Sequence, residues 1–116
     1  MDVKALDEKL NQAILNGKAL EAFDELYAAD VVMQENSDKP FEGKEFNRKR
    51  EVEFFNSIEE LHGLKMLSSA VNGDVSFSEW EYDLTFKGGT RVVLSQVAVR
   101  RWKDGKVAVE RFYYNK

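Results

Sequence analysis

The strongest constraint on this chain sits in its last forty residues, SFSEWEYDLTFKGGTRVVLSQVAVRRWKDGKVAVERFYYN (76–115). They divide into three long runs rich in β-branched and aromatic residues, about 75–87, 90–103 and 106–115. The junctions carry turn signals, Gly88-Gly89 and Asp104-Gly105. Such runs form strands, and junctions this tight join antiparallel neighbours. A sheet of strands this long twists and curls. Its concave face then has to be covered by something else in the chain.

The preceding residues supply the cover. Val3, Leu6, Leu10, Ala13 and Ile14 lie at helical spacing, and Asn16-Gly17 ends that helix. A second helix over about 18–28 presents Leu20, Phe23, Leu26 and Tyr27. Val31-Val32-Met33 reads as a short strand, and residues 36–40 as a loop. The spacing of Phe46, Arg50, Phe54 and Ile58, widened by Phe55 and Leu61, predicts a third helix over 43–61, stopped by Gly63. Leu64 to Val71 is a further strand, and Asn72-Gly73-Asp74 turns it back. The predicted order is ααβαββββ, an α+β fold in a single domain, 1–116, with the first strand joining the sheet at an edge.

Composition narrows the function classes. A net charge of −4 argues against a phosphate backbone as partner, and acids surround the basic runs RKRE (48–51) and RRWK (100–103). Those runs read as a solvated helix face and a strand end. With no cysteine, thiol nucleophiles, zinc–thiolate sites and disulfides are all excluded. One histidine, His62, with scattered carboxylates gives no metal-ligand spacing, so neither a metal nor another cofactor is expected. No apolar run is long enough to span a membrane, and MDVKALDEKLNQ lacks the pattern of a signal peptide. A cytoplasmic location is the expectation.

Two-residue turns at 88–89 and 104–105 would fix the register. Glu81 then faces Gln96, Glu79 faces Ala98, and Trp80 faces Val97. One face would carry Trp80, Tyr82, Leu84, Val93, Val97 and Val99. The other would carry Glu79, Glu81, Asp83, Leu94, Gln96, Ala98, Arg100 and Trp102. Alternation alone favours the first face as the buried one. Beyond the second turn, a two-residue turn and a bulged one give opposite answers to whether Glu110 or Arg111 points inward.

LYAADVVMQEN (26–36), then PFEGKE (40–45) leading into a helix, and the closing hairpin WKDGKVAVERFYYN (102–115) resemble the nuclear transport factor two-like superfamily, and within it the SnoaL-like domains. The similarity runs over nearly the whole chain. It implies a cone-shaped α+β barrel of the cystatin-like kind, a curved antiparallel sheet wrapped around N-terminal helices. It also implies a pocket between sheet and helices, and frequently a homodimer. It does not imply one activity, because members include isomerases, dehydratases, cyclases and inert binding domains.

The resemblance selects residues. Counting along ketosteroid isomerase, a member of the superfamily, puts Gln96, Ala98 and Arg100 at pocket-lining positions and Trp102 at a core aromatic. That favours the second face, with Glu81, as the pocket wall, and leaves the apolar face for a second subunit. Glu35 matches the isomerase's general-base aspartate, one position before Asn36, which replaces the family's proline. A carboxylate at the mouth of an apolar pocket has its pKa raised, which suits proton transfer. Glu110 matches a pocket-facing position, with Phe112 and Tyr114 on its face. If it points inward it lies near Gln96 and Arg100, and a Glu110–Arg100 pair would either bind a polar ligand group or satisfy itself. The isomerase's oxyanion aspartate and tyrosine match Ala98 and Leu10, so steroid isomerisation is not expected. The expectation is a pocket protein for a small hydrophobic molecule, acting by acid–base chemistry as a lyase, isomerase or cyclase. Glu35 would be the base, with Gln96 and Glu110 placing the substrate. The alternative is a non-catalytic ligand-binding or dimerisation module.

Overall fold

Asp2 caps the first helix by accepting a hydrogen bond from the Ala5 amide at 3.1 Å. Helix α1 runs Val3–Leu15 and α2 runs Ala19–Leu26. Gly17 takes φ +76 between them, a conformation that favours glycine. This computed structural model describes residues 1–115. The order continues with β1 (Tyr27–Glu35), β2 (Phe41–Glu42), α3 (Lys44–Asn56), β3 (Ile58–Asn72), β4 (Val75–Phe86), β5 (Arg91–Lys103) and β6 (Lys106–Tyr114). The strands form one sheet in the order β2-β1-β6-β5-β4-β3. Ladders among β3 to β6 are antiparallel, as expected, whereas β1 lies parallel to β6. The expected edge position of β1 needs correcting, because the two-residue β2 pairs with its free side and takes the edge.

The third helix ends earlier than the spacing predicts. The Ser57 hydroxyl bonds back to the Phe54 carbonyl at 2.5 Å, and the Lys87 amide takes the Ser57 carbonyl at 2.8 Å. The chain is thereby drawn into the ladder with β4 at Ile58. On β4, Phe86, Leu84 and Tyr82 share a face by strict alternation. Their partners on β3 are Ile58, Leu61 and Leu64, spaced by three because a bulge falls in each interval. Apolar residues spaced by three ordinarily mark a helix, and here they mark two of the three bulges in β3. Gly63 lies inside it rather than ending anything.

Register between β4 and β5 differs from expectation by one residue. The Phe86 amide bonds to the Thr90 carbonyl at 2.8 Å, so the loop is 87–89. Gly88 and Gly89 both have positive φ, +105 and +94. Trp80 therefore faces Gln96, Glu79 faces Val97, and Glu81 faces Ser95. The inner face combines Trp80, Tyr82 and Leu84 from one expected set with Leu94, Gln96, Ala98, Arg100 and Trp102 from the other.

At the second hairpin the two-residue turn is present, with Asp104 and Gly105 at φ +52 and +79. A bulge between Arg101 and Trp102 then shifts the ladder, so Trp102 faces Val107 while Arg100 faces Glu110. That bulge turns Glu110 inward, with Phe112 and Tyr114 following by alternation.

The core fills the region where α1 and α2 meet β1, β5 and β6. Leu10, Phe23, Leu26, Tyr27, Val31, Met33, Trp102 and Val107 are all buried there. Phe23 and Tyr27 stack at 4.4 Å. Truncating a buried residue such as Phe23 to alanine costs about 3–5 kcal/mol. This packing closes one side of the concave face and leaves the rest of it open.

Candidate functional site

The remaining concavity is a cavity of about 680 Å³, floored by β4, β5 and β6 and walled by α1, α2, α3 and β3. Its lining is mainly aromatic and aliphatic, including Phe54, Phe55, Trp80, Tyr82, Leu94 and Phe112. The polar groups that reach it include two contrasting sets.

The first set is a closed network. Arg100 Nε donates to Glu110 Oε2 at 2.7 Å, and its Nη1 donates to Asp7 Oδ1 at 2.9 Å and Asn11 Oδ1 at 2.6 Å. Tyr27 donates its hydroxyl to Glu110 Oε2 at 2.7 Å. Ser76 donates to Asp7 at 2.7 Å and accepts from the Trp102 indole at 2.9 Å. Asp7 and Asn11 are one helical turn apart, so a single face of α1 is bolted to four strands. Every member of the network is buried. Burial opposes charge on Arg100, but Glu110, Tyr27 and Asp7 outweigh it and raise its pKa. Burial and the neighbouring Glu110 push Tyr27 well up.

The second set has no such closure. Glu51 lines the cavity from α3, and among the described residues its carboxyl takes part in no hydrogen bond or ion pair. Burial pushes its pKa up to about 7, reinforced by Glu110, opposed by Arg50 and reinforced again by Glu35. Tyr82, on β4, is raised to about 12 by burial and then by Glu51. The side chains of Tyr82 and Gln96 also make no hydrogen bond among the described residues. The ladder sets Gln96 opposite Trp80, one inward step from Tyr82. A carboxyl, a hydroxyl and an amide thus face one apolar space with their hydrogen-bonding capacity unused.

Of the residues expected from sequence, Glu35, Gln96, Arg100, Glu110, Phe112 and Tyr114 all line this cavity. Glu81 does not. The three-residue loop at 87–89 rotates it to the outer face, opposite Ser95. Glu35 is held by Arg50 at 3.1 Å and accepts the Tyr114 hydroxyl at 3.0 Å. Burial and that bond to Glu35 push Tyr114 up to about 12. Arg50 also lies 3.6 Å over the Phe41 ring. His62 bonds Thr85 at 2.8 Å, away from the cavity. The residues missed were Tyr82, which the expected register put on the opposite face, and Glu51. Glu51 sits in the RKRE run read as a solvated helix face, yet Phe54 and Phe55 follow it by three and four residues. The apolar stripe of α3 passes through Glu51, while Phe46 is 52% exposed.

An incomplete six-stranded cone with helices over its concave face is the fold of nuclear transport factor two-like and ketosteroid isomerase-like proteins. The chain belongs to the SnoaL-like domain family, whose model matches residues 1–114. It is similar in structure to a protein from Mesorhizobium loti described as a SnoaL-like polyketide cyclase. That pair shares 27% identity with a TM-score of 0.87, covering 98% of this chain and 100% of the other. A protein of the same description from Jannaschia sp. CCS1 is 15% identical at TM-score 0.83, with 99% and 89% covered. A nuclear transport factor two-like protein of unknown function from Burkholderia xenovorans LB400 is 16% identical at TM-score 0.76, with 98% and 83% covered. No curated protein matches the chain.

Proposed function

We propose that this protein binds a small, largely apolar molecule in the cavity and moves a proton on it, with Glu51 as the acid–base group. The observation that carries this is Glu51 itself, a carboxyl without a partner, facing an aromatic cavity with a pKa of about 7. A general base works best when its pKa lies near the operating pH. Gln96 and Tyr82 place a polar substrate atom, which their free hydrogen-bonding groups support. Glu35, the base expected from sequence, serves instead to hold Arg50 and Tyr114 at the cavity wall, since both already engage its carboxylate. Glu110 and Arg100 keep the wall in shape.

The test is solvent-deuterium exchange into the α-position of a panel of cyclic ketones, followed by NMR. Wild type is expected to accelerate exchange, Glu51→Gln to lose about a hundredfold or more, and Glu35→Gln to keep most of the rate. Equal exchange by wild type and Glu51→Gln would remove proton transfer from the reading. One observation favours a second, non-catalytic reading as a ligand-binding module. Glu51 and Tyr82 have no orienting hydrogen bond, whereas acid–base groups are usually held by one. Binding without exchange is the outcome that reading requires.

We further propose a homodimer through the outer face of the sheet. Val93 is 58% exposed, Tyr113 43% and Phe77 36%, with Val97 and Val99 between them. Contiguous apolar surface of this kind marks an association site. Light scattering that gives a monomer mass at micromolar concentration would sink the dimer.

A further inference from the structure

The charges around the cavity are unbalanced in a way that names a ligand class. Four carboxylates line it, Glu21, Glu35, Glu51 and Glu110, against two cations, Arg50 and Arg100, with no lysine or histidine. Both cations are already engaged. Arg50 serves Glu35, the Asn47 side chain and the Phe41 ring. Arg100 serves Glu110, Asp7 and Asn11. Two of the phenols that could donate to an anion, those of Tyr27 and Tyr114, donate instead to Glu110 and Glu35. An anionic ligand would find no free cation and would meet uncompensated acid.

For a cation the same inventory is favourable. Glu51 has no ion pair to break, and Glu21 stands exposed at the cavity edge with none among the described residues. Aromatic rings of Phe54, Phe55, Trp80, Tyr82 and Phe112 line the space. A desolvated cation over an aromatic face gains about 2 kcal/mol. A cleft of one sign with apolar walls also concentrates the opposite charge.

We infer that the cavity is an amine site, whose ligand carries one ammonium group on an apolar body, with Glu51 as counter-ion and the surrounding rings as the cage. This inference rests on the cavity being a small-molecule site and adds the charge of the molecule. The groups facing Glu51 are Arg50 on its own helix, Glu35 on β1, Glu110 on β6 and the phenols of Tyr82 and Tyr27, and Arg100 on β5 reaches the same cavity engaged with Glu110. None of the cations among them is free to replace a ligand ammonium.

The experiment is calorimetric titration of the full chain with three benzyl probes of different charge, the cation and the neutral one being isosteres. They are benzyltrimethylammonium, neutral neopentylbenzene and anionic phenylacetate. The quaternary ammonium cannot lose its charge, so any pH dependence of its binding belongs to the protein. At pH 8 it is expected to bind about tenfold or more tighter than neopentylbenzene, and phenylacetate weakest of the three. Its affinity is expected to rise from pH 5.5 to pH 8.5 as Glu51 ionises, while that of neopentylbenzene stays flat. Glu51→Gln, checked for folding by circular dichroism, is expected to abolish both the charge preference and the pH dependence. Tighter binding of phenylacetate, or equal binding of cation and neutral isostere by wild type, overturns the amine site but leaves the cavity as a binding site. Failure of all three probes to bind overturns both.

Discussion

Two carboxylates sit in the same cavity wall under opposite regimes. Glu110 is bonded by Arg100 and Tyr27, and Arg100 is bonded in turn to Asp7 and Asn11. Glu51 is bonded by nothing among the described residues, and burial pushes it up to about 7. A buried charge that is fully partnered holds elements together, because removing any partner exposes the cost of burying the rest. A half-buried carboxyl without a partner costs folding energy when it ionises, so its presence needs a reason outside folding. The closed network and the open carboxyl therefore divide the cavity into a part that builds it and a part left for a ligand.

The comparison breaks first at Arg100. Arg100→Leu leaves Asp7 and Glu110 buried with no cation, and should cost about 3–5 kcal/mol in urea denaturation. A loss below about 1 kcal/mol would show that the network is dispensable. Glu51→Gln should act in the opposite direction. The folded state holds the Glu51 proton to about pH 7, whereas the unfolded chain releases it near 4.5. The folded state therefore binds more protons between those values, and this group's contribution makes stability fall as pH rises through that window. The variant should be as stable as wild type near pH 4 and more stable by up to about 3 kcal/mol at pH 8. A variant no more stable than wild type at pH 8 would place the Glu51 carboxyl among satisfied groups.

The legibility of these two regions differed for physical reasons. Arg100 and Glu110 could be brought near each other from sequence, because both lie on strands joined by a two-residue turn whose chemistry is plain in Asp104-Gly105. What sequence left open was the direction of Glu110, which depends on a bulge between Arg101 and Trp102 that no residue type announces. The α+β order, the closing antiparallel strands and the helical cover were all readable from periodicity. The one-residue error at Gly88-Gly89 arose because two glycines suit a two-residue and a three-residue loop equally well. It placed Glu81 inside and Trp80 and Tyr82 outside, since an error of one residue exchanges the faces of one strand. Ile58 and Leu61 were read as helix because a bulge between them imitates helical spacing. Glu51 was passed over because a glutamate beside Arg48, Lys49 and Arg50 looks solvated. Only the helix's rotation, set by Asn47 and the two phenylalanines, turns it inward.

Two tyrosines allow a finer cut between the regions. Tyr27 donates to Glu110 at 2.7 Å, inside the closed network. Tyr27→Phe removes a hydrogen bond to a charged group without changing shape, and should cost about 1.5–3 kcal/mol. Tyr82 lines the same cavity, and its hydroxyl has no partner among the described residues. Tyr82→Phe should change stability by less than about 0.5 kcal/mol, because no bond is lost and the ring remains. It should instead alter ligand binding or exchange, since the free hydroxyl is one of the groups a ligand meets. If Tyr82→Phe destabilises as much as Tyr27→Phe, Tyr82 belongs to the scaffold and the open set shrinks to Glu51 and Gln96. A neutral stability change with altered binding keeps all three polar groups on the functional side of the wall.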